Sequence, residues 1–352
     1  MITQKLHISG GVVGTFDFLR FPLICMVVLI HTLQGDTYKE NMALWYGNVI
    51  YFFQEALSRS AVPVFFVISG YLFCYNMDRW DWTTYYGKLK KRIYTLLIPY
   101  LIWNSIALCE TSIKHLPLLS SFFPNIYKQE LNSMFLIGAY WTTPDGSCPI
   151  LYPFWYIRDL MVMVILSPIF YYAIKKMKIL WIALLVIGSF TGIKTIPGFA
   201  ISSMLYFSIG CYWSIIKKDC MPNKYILMLF FILSLPIALA DTYTRIDYLH
   251  TLSVMCGTGC ILAIGFYLTG SLRLNANKQL TKSVFFVFAV HAILLGYISK
   301  IIFLIVKPET EFLCLITYIT VWFLTIIFSL LAYQVINTIS PKVIKVLTGG
   351  RN

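Results

Sequence analysis

The stretch DFLRFPLICMVVLIHTLQ, residues 17–34, is nearly as long and apolar as a membrane-spanning helix, yet it contains Asp17, Arg20 and His31. Eleven residues separate Arg20 from His31, which in a helix is three turns plus about 20°. The two side chains are therefore predicted to share one helix face, roughly 16 Å apart. Ionisable residues are costly inside a bilayer, so this face is a candidate functional site. The alternative is that Asp17 and Arg20 form a local ion pair at the membrane interface. His31 would then extend its polar ring into the water at the other end of the helix.

The composition of the whole chain indicates an integral membrane protein. Of its 352 residues 59% are hydrophobic and 12% are charged, whereas soluble domains contain about 25% charged residues. We predict an all-α, polytopic protein with one membrane-embedded domain over residues 1–352. The first apolar segment lacks a small-residue cleavage site, so it is expected to stay as a helix rather than to be removed as a signal peptide.

Ten segments are apolar enough to suggest membrane spans. They lie near 16–35, 58–77, 93–110, 152–173, 179–193, 198–216, 224–240, 251–270, 283–305 and 312–338. Ten spans would place both termini on the same side of the membrane. Gly192 and Pro197 interrupt the chain between the fifth and sixth segments, which could instead form a re-entrant pair.

The distribution of basic residues predicts the orientation. The net charge is +13, and most Lys and Arg residues fall in the loops that share a side with the termini. The positive-inside rule assigns that side to the cytoplasm, in a multi-pass protein of the inner (plasma) membrane. Because the basic residues follow the membrane topology, no nucleic-acid partner is expected. His115 and His250 fall in predicted external loops, in contact with water.

The nine cysteines are scattered singly along the chain. None has the spacing to histidines that is typical of a zinc site. We predict neither a structural disulfide nor a bound metal.

The pattern D-x2-R-x10-H at residues 17–31 resembles the first-helix signature of the membrane acyltransferase 3 family, whose members attach acyl groups to glycans and some other acceptors. Further segments resemble later helices of that family in the same order, namely VPVFFVISGYLF (62–73), RIYTLLIPY (92–100), FWYIRDLMVMVILSPI (154–169) and VFFVFAVHAILL (284–295). Together they extend over most of the chain.

The resemblance implies an acyl-coenzyme A donor, most often acetyl-coenzyme A, that is bound from the cytoplasm without a metal. Arg20, Arg92 and Lys91 would bind the donor phosphates, a task that suits the planar guanidinium group. His31 would act as general base on an acceptor hydroxyl, and Asp17 would orient Arg20. Basic residues before a helix are equally what the membrane topology demands.

Four further residues are predicted to bind the substrate. Ser69 and Tyr71 interrupt the apolar second segment and are candidates for lining a cavity. Arg158 and Asp159 are adjacent and point about 100° apart on a helix, so at least one should face the protein interior, and Arg158 is assigned to the acceptor. His291 lies deep in a late apolar segment, where it either belongs to the cavity or packs with a hydrogen bond.

The leading hypothesis is an O-acyltransferase for a carbohydrate of the cell envelope. A transporter or flippase for glycans or lipid-linked sugars is the alternative, since it would also need many spans with intramembrane charges. A sensor that keeps the fold without catalysis is a third reading. The sequence leaves open the acceptor glycan, the choice between acetyl and succinyl, direct transfer or an acyl-enzyme, and the oligomeric state.

Overall fold

The computed structural model describes residues 2–32, 44–77, 79–115, 133–143, 148–193, 196–216 and 223–350, with the backbone alone for residues 2–10 and 44. These parts are helical and contain no strand. The helices are α1 (Ile2–His31), α2 (Leu44–Tyr51), α3 (Ala61–Cys74), α4 (Trp82–Arg92), α5 (Ile98–Lys114), α6 (Ser133–Gly138), α7 (Trp155–Ile165), α8 (Ser167–Met177), α9 (Ile179–Ser189), α10 (Ile201–Ile216), α11 (Lys224–Thr244), α12 (Asp247–Gly270), α13 (Lys278–Val306), α14 (Glu311–Ile339) and α15 (Pro341–Leu347).

Seven helical stretches of the described chain are long and apolar enough to cross a membrane. They are Gly11–His31, Trp45–Cys74, Trp82–Lys114, Lys224–Thr244, Asp247–Gly270, Lys278–Val306 and Glu311–Ile339. Tyr152–Ile165 and α8 form one further candidate, bent by 62°, while α9 and α10 are shorter apolar helices. The predicted segments are thus all helical, which confirms the all-α polytopic architecture, and length supports seven or eight crossings. The side on which the termini lie stays a prediction.

The second span begins earlier than its apolar sequence suggests. Helix α2 continues through a π-helical turn (Phe52–Leu57) and a 3-10 turn (Ser58–Ser60) into α3. An ion pair of Arg59 with Glu55 (2.6 Å, i,i+4) lies on this helix, and its two charges lower the local hydropathy that marks a span.

Helix α1 is central in the bundle and packs against α3, α12, α13 and α14. Its inward face consists of buried apolar side chains, namely Phe16, Leu23, Ile24, Val27 and Val28. Two of its carbonyls accept hydrogen bonds from α14: Trp322 Nε1 donates to Cys25 (2.9 Å) and the Tyr318 hydroxyl donates to Leu29 (3.2 Å). These contacts fix the rotation of α1 and therefore the direction of its polar residues.

Helices α3 and α10 approach each other so closely that their backbones touch at two glycines. A Cβ atom on Gly70 would collide with the carbonyl of Phe207, and one on Gly210 would collide with the carbonyl of Val67. At the end of this contact Cys74 and Cys211 form a disulfide, with Cα atoms 5.3 Å apart. The prediction of no structural disulfide is therefore wrong. The two cysteines are 137 residues apart in sequence, and only the glycine contact brings them together.

Candidate active site

A cavity of about 490 Å³ opens between α1, α3, α7 and α13. Charged side chains from three separate parts of the chain surround its mouth, namely Asp17, Arg20, Arg92, Lys278 and Lys282. Asp17 and Arg20 form an ion pair of 2.7 Å, and both side chains keep about a third of their surface exposed. The mouth therefore carries four cations against one carboxylate and favours a polyanionic ligand.

The inner wall of the cavity is mainly apolar and includes a pair of hydroxyl groups. Its apolar residues include Ile24, Phe65, Ile68, Leu72, Val284, Phe285 and Phe288. The hydroxyl groups of Ser69 and Tyr156 lie 3.3 Å apart in the same wall. A ligand that fits this cavity has a charged head group and a long, mainly apolar arm.

Two histidines meet beyond the inner end of the cavity. The ring of His31, at the end of α1, stacks on the ring of His291 from α13, with centroids 5.6 Å apart and planes inclined by 26°. The edge of Tyr152 contacts His31 with a centroid distance of 4.9 Å. Phe288 connects the pair to the cavity, because it lines the cavity and lies 6.1 Å from the His291 ring.

The hydrogen bonds of His291 determine its tautomer. Nδ1 lies 2.7 Å from the carbonyl oxygen of Phe288 and 3.2 Å from that of Val287. A carbonyl oxygen only accepts, so Nδ1 carries the proton and Nε2 has a free lone pair. The side chain is fully buried, and Nε2 has no hydrogen-bond partner among the described residues. A buried acceptor of this kind is suited to a substrate hydroxyl.

The parallel course of α1 and α13 explains this arrangement. Each helix places basic residues at the mouth, Arg20 on α1 and Lys278 and Lys282 on α13, and carries its histidine further along the same direction. Arg20 and His31 are roughly 16 Å apart along the axis, and Lys282 and His291 are roughly 14 Å apart. The predicted stripe on α1 thus leads from the charged mouth to the histidine pair, whereas Lys282 and His291 are about two and a half turns apart and do not share a face of α13.

The structure places the other predicted residues as follows. Arg92 lines the mouth, just before a π-helical turn (Ile93–Leu97), and Ser69 lines the cavity, whereas Lys91 is exposed and Tyr71 is fully buried. Neither Lys91 nor Tyr71 lines the cavity. The Tyr71 ring packs edge-on against Phe16, with centroids 5.2 Å apart, and so belongs to the aromatic core.

Arg158 also lies away from the cavity. Its Nε and Nη2 atoms donate to Asp159 Oδ1 at 3.1 and 2.9 Å, and Nη1 donates to the Trp141 carbonyl at 2.8 Å. Asp159 in turn accepts hydrogen bonds from the Gly198 amide and the Ser203 hydroxyl. Both side chains are buried, in agreement with the expectation that at least one faces the interior. Their contacts connect α7 to neighbouring segments, and Arg158 does not line the cavity.

Sequence reasoning missed four residues near the site. Lys278 and Lys282 count there only toward the cytoplasmic charge, Tyr152 only as the start of the apolar segment 152–173, and Tyr156 only as part of the family-like segment 154–169. The same-face spacing that marks Arg20 and His31 gives no signal for the lysines, because nine and thirteen residues separate them from His291 and place them on other faces of the helix. Among the described residues, no group of three or more His, Cys, Asp or Glu side chains could hold a metal ion.

The comparisons with known proteins agree with this geometry. A family model described as an acyltransferase domain, that of the acyltransferase 3 family, matches residues 13–337. The chain is 24% identical to the succinoglycan biosynthesis protein ExoH of Rhizobium meliloti (strain 1021), over 97% of this chain and 94% of that protein. It is 35% identical to the nodulation protein NolL of Sinorhizobium fredii (strain NBRC 101917 / NGR234), over 36% of this chain and 32% of that protein. No solved structure matches the chain significantly. The chain is therefore a multi-pass membrane acyltransferase that belongs to the acyltransferase 3 family.

Proposed function

We propose that the protein transfers an acyl group, acetyl in the first instance, from cytoplasmic acyl-coenzyme A to a hydroxyl of a cell-surface polysaccharide or glycolipid sugar. One observation carries the proposal: a cavity with a cationic mouth and an apolar interior leads toward a pair of histidines. The family match favours an enzyme over the transporter that the sequence also allowed. The protein would act in the inner membrane.

The cavity fits the two parts of the donor. The phosphates of coenzyme A would bind Arg20, Arg92, Lys278 and Lys282 at the mouth, where each phosphate would find several donors of hydrogen bonds. The pantetheine arm would extend along the apolar wall and bring the thioester toward the histidines. No metal takes part in this proposal.

His31 would act as the general base. The acceptor hydroxyl attacks the thioester carbonyl and gives its proton to His31, while the bond from the carbonyl carbon to sulfur breaks. The leaving thiolate then takes up that proton, so coenzyme A departs as a thiol and the enzyme is restored. Nε2 of His291 would accept a hydrogen bond from a second hydroxyl and orient the acceptor. Transfer in one step is favoured, since the hydroxyl of Ser69 pairs with Tyr156 rather than with a histidine.

A carbohydrate acceptor is supported by the relatives. ExoH is named for the biosynthesis of succinoglycan, and its alignment extends over almost the whole of both chains. A sugar hydroxyl is a weak acid, so its attack on a thioester gains from a positioned base.

The test uses purified protein, acetyl-coenzyme A with a labelled acetyl group, and surface polysaccharide isolated from a strain that lacks this protein. We expect labelled polysaccharide and free coenzyme A in equal amounts. The variant His31→Gln should lower the rate by about 10²- to 10⁴-fold, with donor binding kept because His31 lies outside the cavity wall. Transfer at the wild-type rate by a folded His31→Gln protein would contradict the proposed base.

A further inference from the structure

A second cavity, of about 320 Å³, lies at the end of the bundle where α1 ends. Its wall comes from the 3-10 turn before α3, from the starts of α7, α10 and α12, and from the end of α9. Its polar and aromatic side chains include Arg59, Trp155, Ser189, Ser202, Tyr206 and His250. Arg59 is close enough to His31 for their charges to interact. The reaction proposed above assigns no role to this cavity.

A buried carboxylate orients one wall residue of the second cavity. Asp241, on α11, is fully buried, and its Oδ2 lies 3.0 Å from His250 Nδ1. The hydroxyl of Tyr51 donates to Oδ1 of the same carboxylate (3.2 Å). A carboxylate accepts from Nδ1–H, which leaves Nε2 turned away from Asp241 and open to a ligand, for which it is an acceptor when the ring carries one proton. About a third of the His250 side chain is exposed, so a ligand in the cavity has access to it.

The turn between α11 and α12 keeps this pair together. Arg245 ends α11 in the left-handed region, with φ of 52°. Its guanidinium lies over the Tyr51 ring, 5.0 Å from the centroid, and donates to Asn48 Oδ1 at 3.2 Å. Asp241, Tyr51 and His250 are thereby held in one arrangement before any ligand binds, which lowers the entropy that binding would lose.

The side chains of this wall match the surface of a sugar ring. A pyranose has an apolar face of C–H groups and an edge of hydroxyls, each of which donates and accepts hydrogen bonds. Trp155 is half-buried in the wall and offers a flat apolar surface. Arg59 supplies donors, Ser202 supplies a hydroxyl and His250 supplies an acceptor. Few polar groups set in an apolar wall are typical of small-molecule sites, and the volume lies in their usual range.

The two cavities approach each other from opposite ends of the bundle. Phe66 lines the second cavity and packs against Tyr156, which lines the first, with ring centroids 4.8 Å apart. Trp155 and Tyr156 are neighbours on α7, and each contributes to a different cavity. A donor in the first cavity and an acceptor in the second would thus be separated by a thin aromatic layer, near the end of α1 that carries His31.

We propose that the second cavity binds a sugar residue of the acceptor, with Trp155 against the ring and His250, held by Asp241, as acceptor for one of its hydroxyls. This inference rests on the proposed function and adds to it the place where the acceptor binds. His250 has a binding role here, while the proton is removed at His31.

The test measures the KM values for both substrates with acetyl-coenzyme A and the polysaccharide from the strain that lacks this protein. Trp155→Ala and His250→Ala should each raise the polysaccharide KM about tenfold and leave the acetyl-coenzyme A KM unchanged. Trp155→Phe and His250→Gln should restore part of the affinity, because they keep a flat ring and a hydrogen-bond acceptor. His115→Ala is the matched control, since His115 ends α5 and lines neither cavity.

Donor binding by each variant, measured by titration with acetyl-coenzyme A, shows that the variant is folded. Polysaccharide KM values within twofold of wild type for both alanine variants, or a rise in the donor KM instead, would overturn the acceptor site. Absence of transfer by the wild-type protein itself would overturn the proposed function, so the two failures are distinguishable.

Discussion

His31 and His291 come from opposite ends of the chain, and their rings stack with centroids 5.6 Å apart. The two residues have different hydrogen-bond environments. His291 is fully buried, its Nδ1 proton is bonded to a backbone carbonyl, and its Nε2 has no partner among the described residues. His31 is half-buried and contacts the exposed ring of Tyr152. The pair therefore joins a half-buried imidazole to a buried hydrogen-bond acceptor of fixed orientation.

Replacement of His291 by leucine should separate activity from stability. A buried acceptor without a partner costs about 1–3 kcal/mol, so His291→Leu should raise the thermal unfolding midpoint in detergent. The same change should lower the transfer rate at least tenfold, because the acceptor hydroxyl loses its hydrogen bond. Midpoint and initial rate are measured on the same preparation, with His115→Leu as control. A lower midpoint together with lower activity would indicate a structural role for His291.

The charged mouth should recognise the phosphates of the donor rather than its acyl group. Arg20→Gln and Arg92→Gln should each raise the KM for acetyl-coenzyme A about tenfold, since a hydrogen bond to a charged group contributes about 1.5–3 kcal/mol. Neither should change the KM for acetyl-pantetheine, which has no phosphate. Initial rates measured over a range of concentrations of each donor give the two KM values. A rise in the KM for acetyl-pantetheine as well would contradict a contact with the phosphates.

Two lysines provide the comparison for these arginine variants. Lys91→Gln should change the acetyl-coenzyme A KM less than Arg92→Gln does, because Lys91 is exposed and lies outside the cavity wall. Lys176→Gln removes an exposed charge at the end of α8 and should have no effect. Equal effects of all the variants would mean that the overall positive charge attracts the donor and that the mouth has no specific contact.

Arg158 should prove important for folding rather than for acceptor binding. Removal of one partner from a buried ion pair costs about 3–5 kcal/mol, because the other charge stays buried. Arg158→Ala should therefore lower the yield of monodisperse protein and the unfolding midpoint. Any folded fraction should keep the wild-type polysaccharide KM. A stable variant with a raised polysaccharide KM would instead support the sequence-based assignment to the acceptor.

The close contact of α3 with α10 should tolerate no side chain at its glycines. Gly70→Ala places a methyl group against the Phe207 carbonyl, and overpacking of this kind costs about 1–3 kcal/mol or more. Gly87→Ala is the control, because a Cβ there meets nothing within 4 Å. We expect a lower unfolding midpoint for the first variant alone. Equal midpoints would mean that the two helices can separate without loss of stability.

The sequence predicted the features that depend on local periodicity. The apolar segments gave the helices, and the interval from Arg20 to His31 placed both residues on the side of α1 that leads from the cavity mouth to His291. What could not be predicted depends on packing between distant helices. The disulfide of Cys74 with Cys211 needs the glycine contact, and the pairing of His250 with Asp241 needs the turn at Arg245. The assignment of Tyr71 to a cavity is wrong for the same reason. The sequence of one helix does not show which of its faces packs against α10 and which faces the cavity.

The interval between Arg20 and His31 on α1 has a consequence for the length of the proposed donor. Arg20 at the cavity mouth and His31 near the histidine pair are about three turns apart on α1, so under the proposed function the length of a productive donor would be set by helical rise. One residue inserted between Arg20 and His31 would turn the histidine by about 100° and break the register of α1 with α13. Under the proposed function, selectivity for the length of the donor arm would therefore depend on the backbone of α1, and selectivity for the acyl group would depend on the side chains around His31.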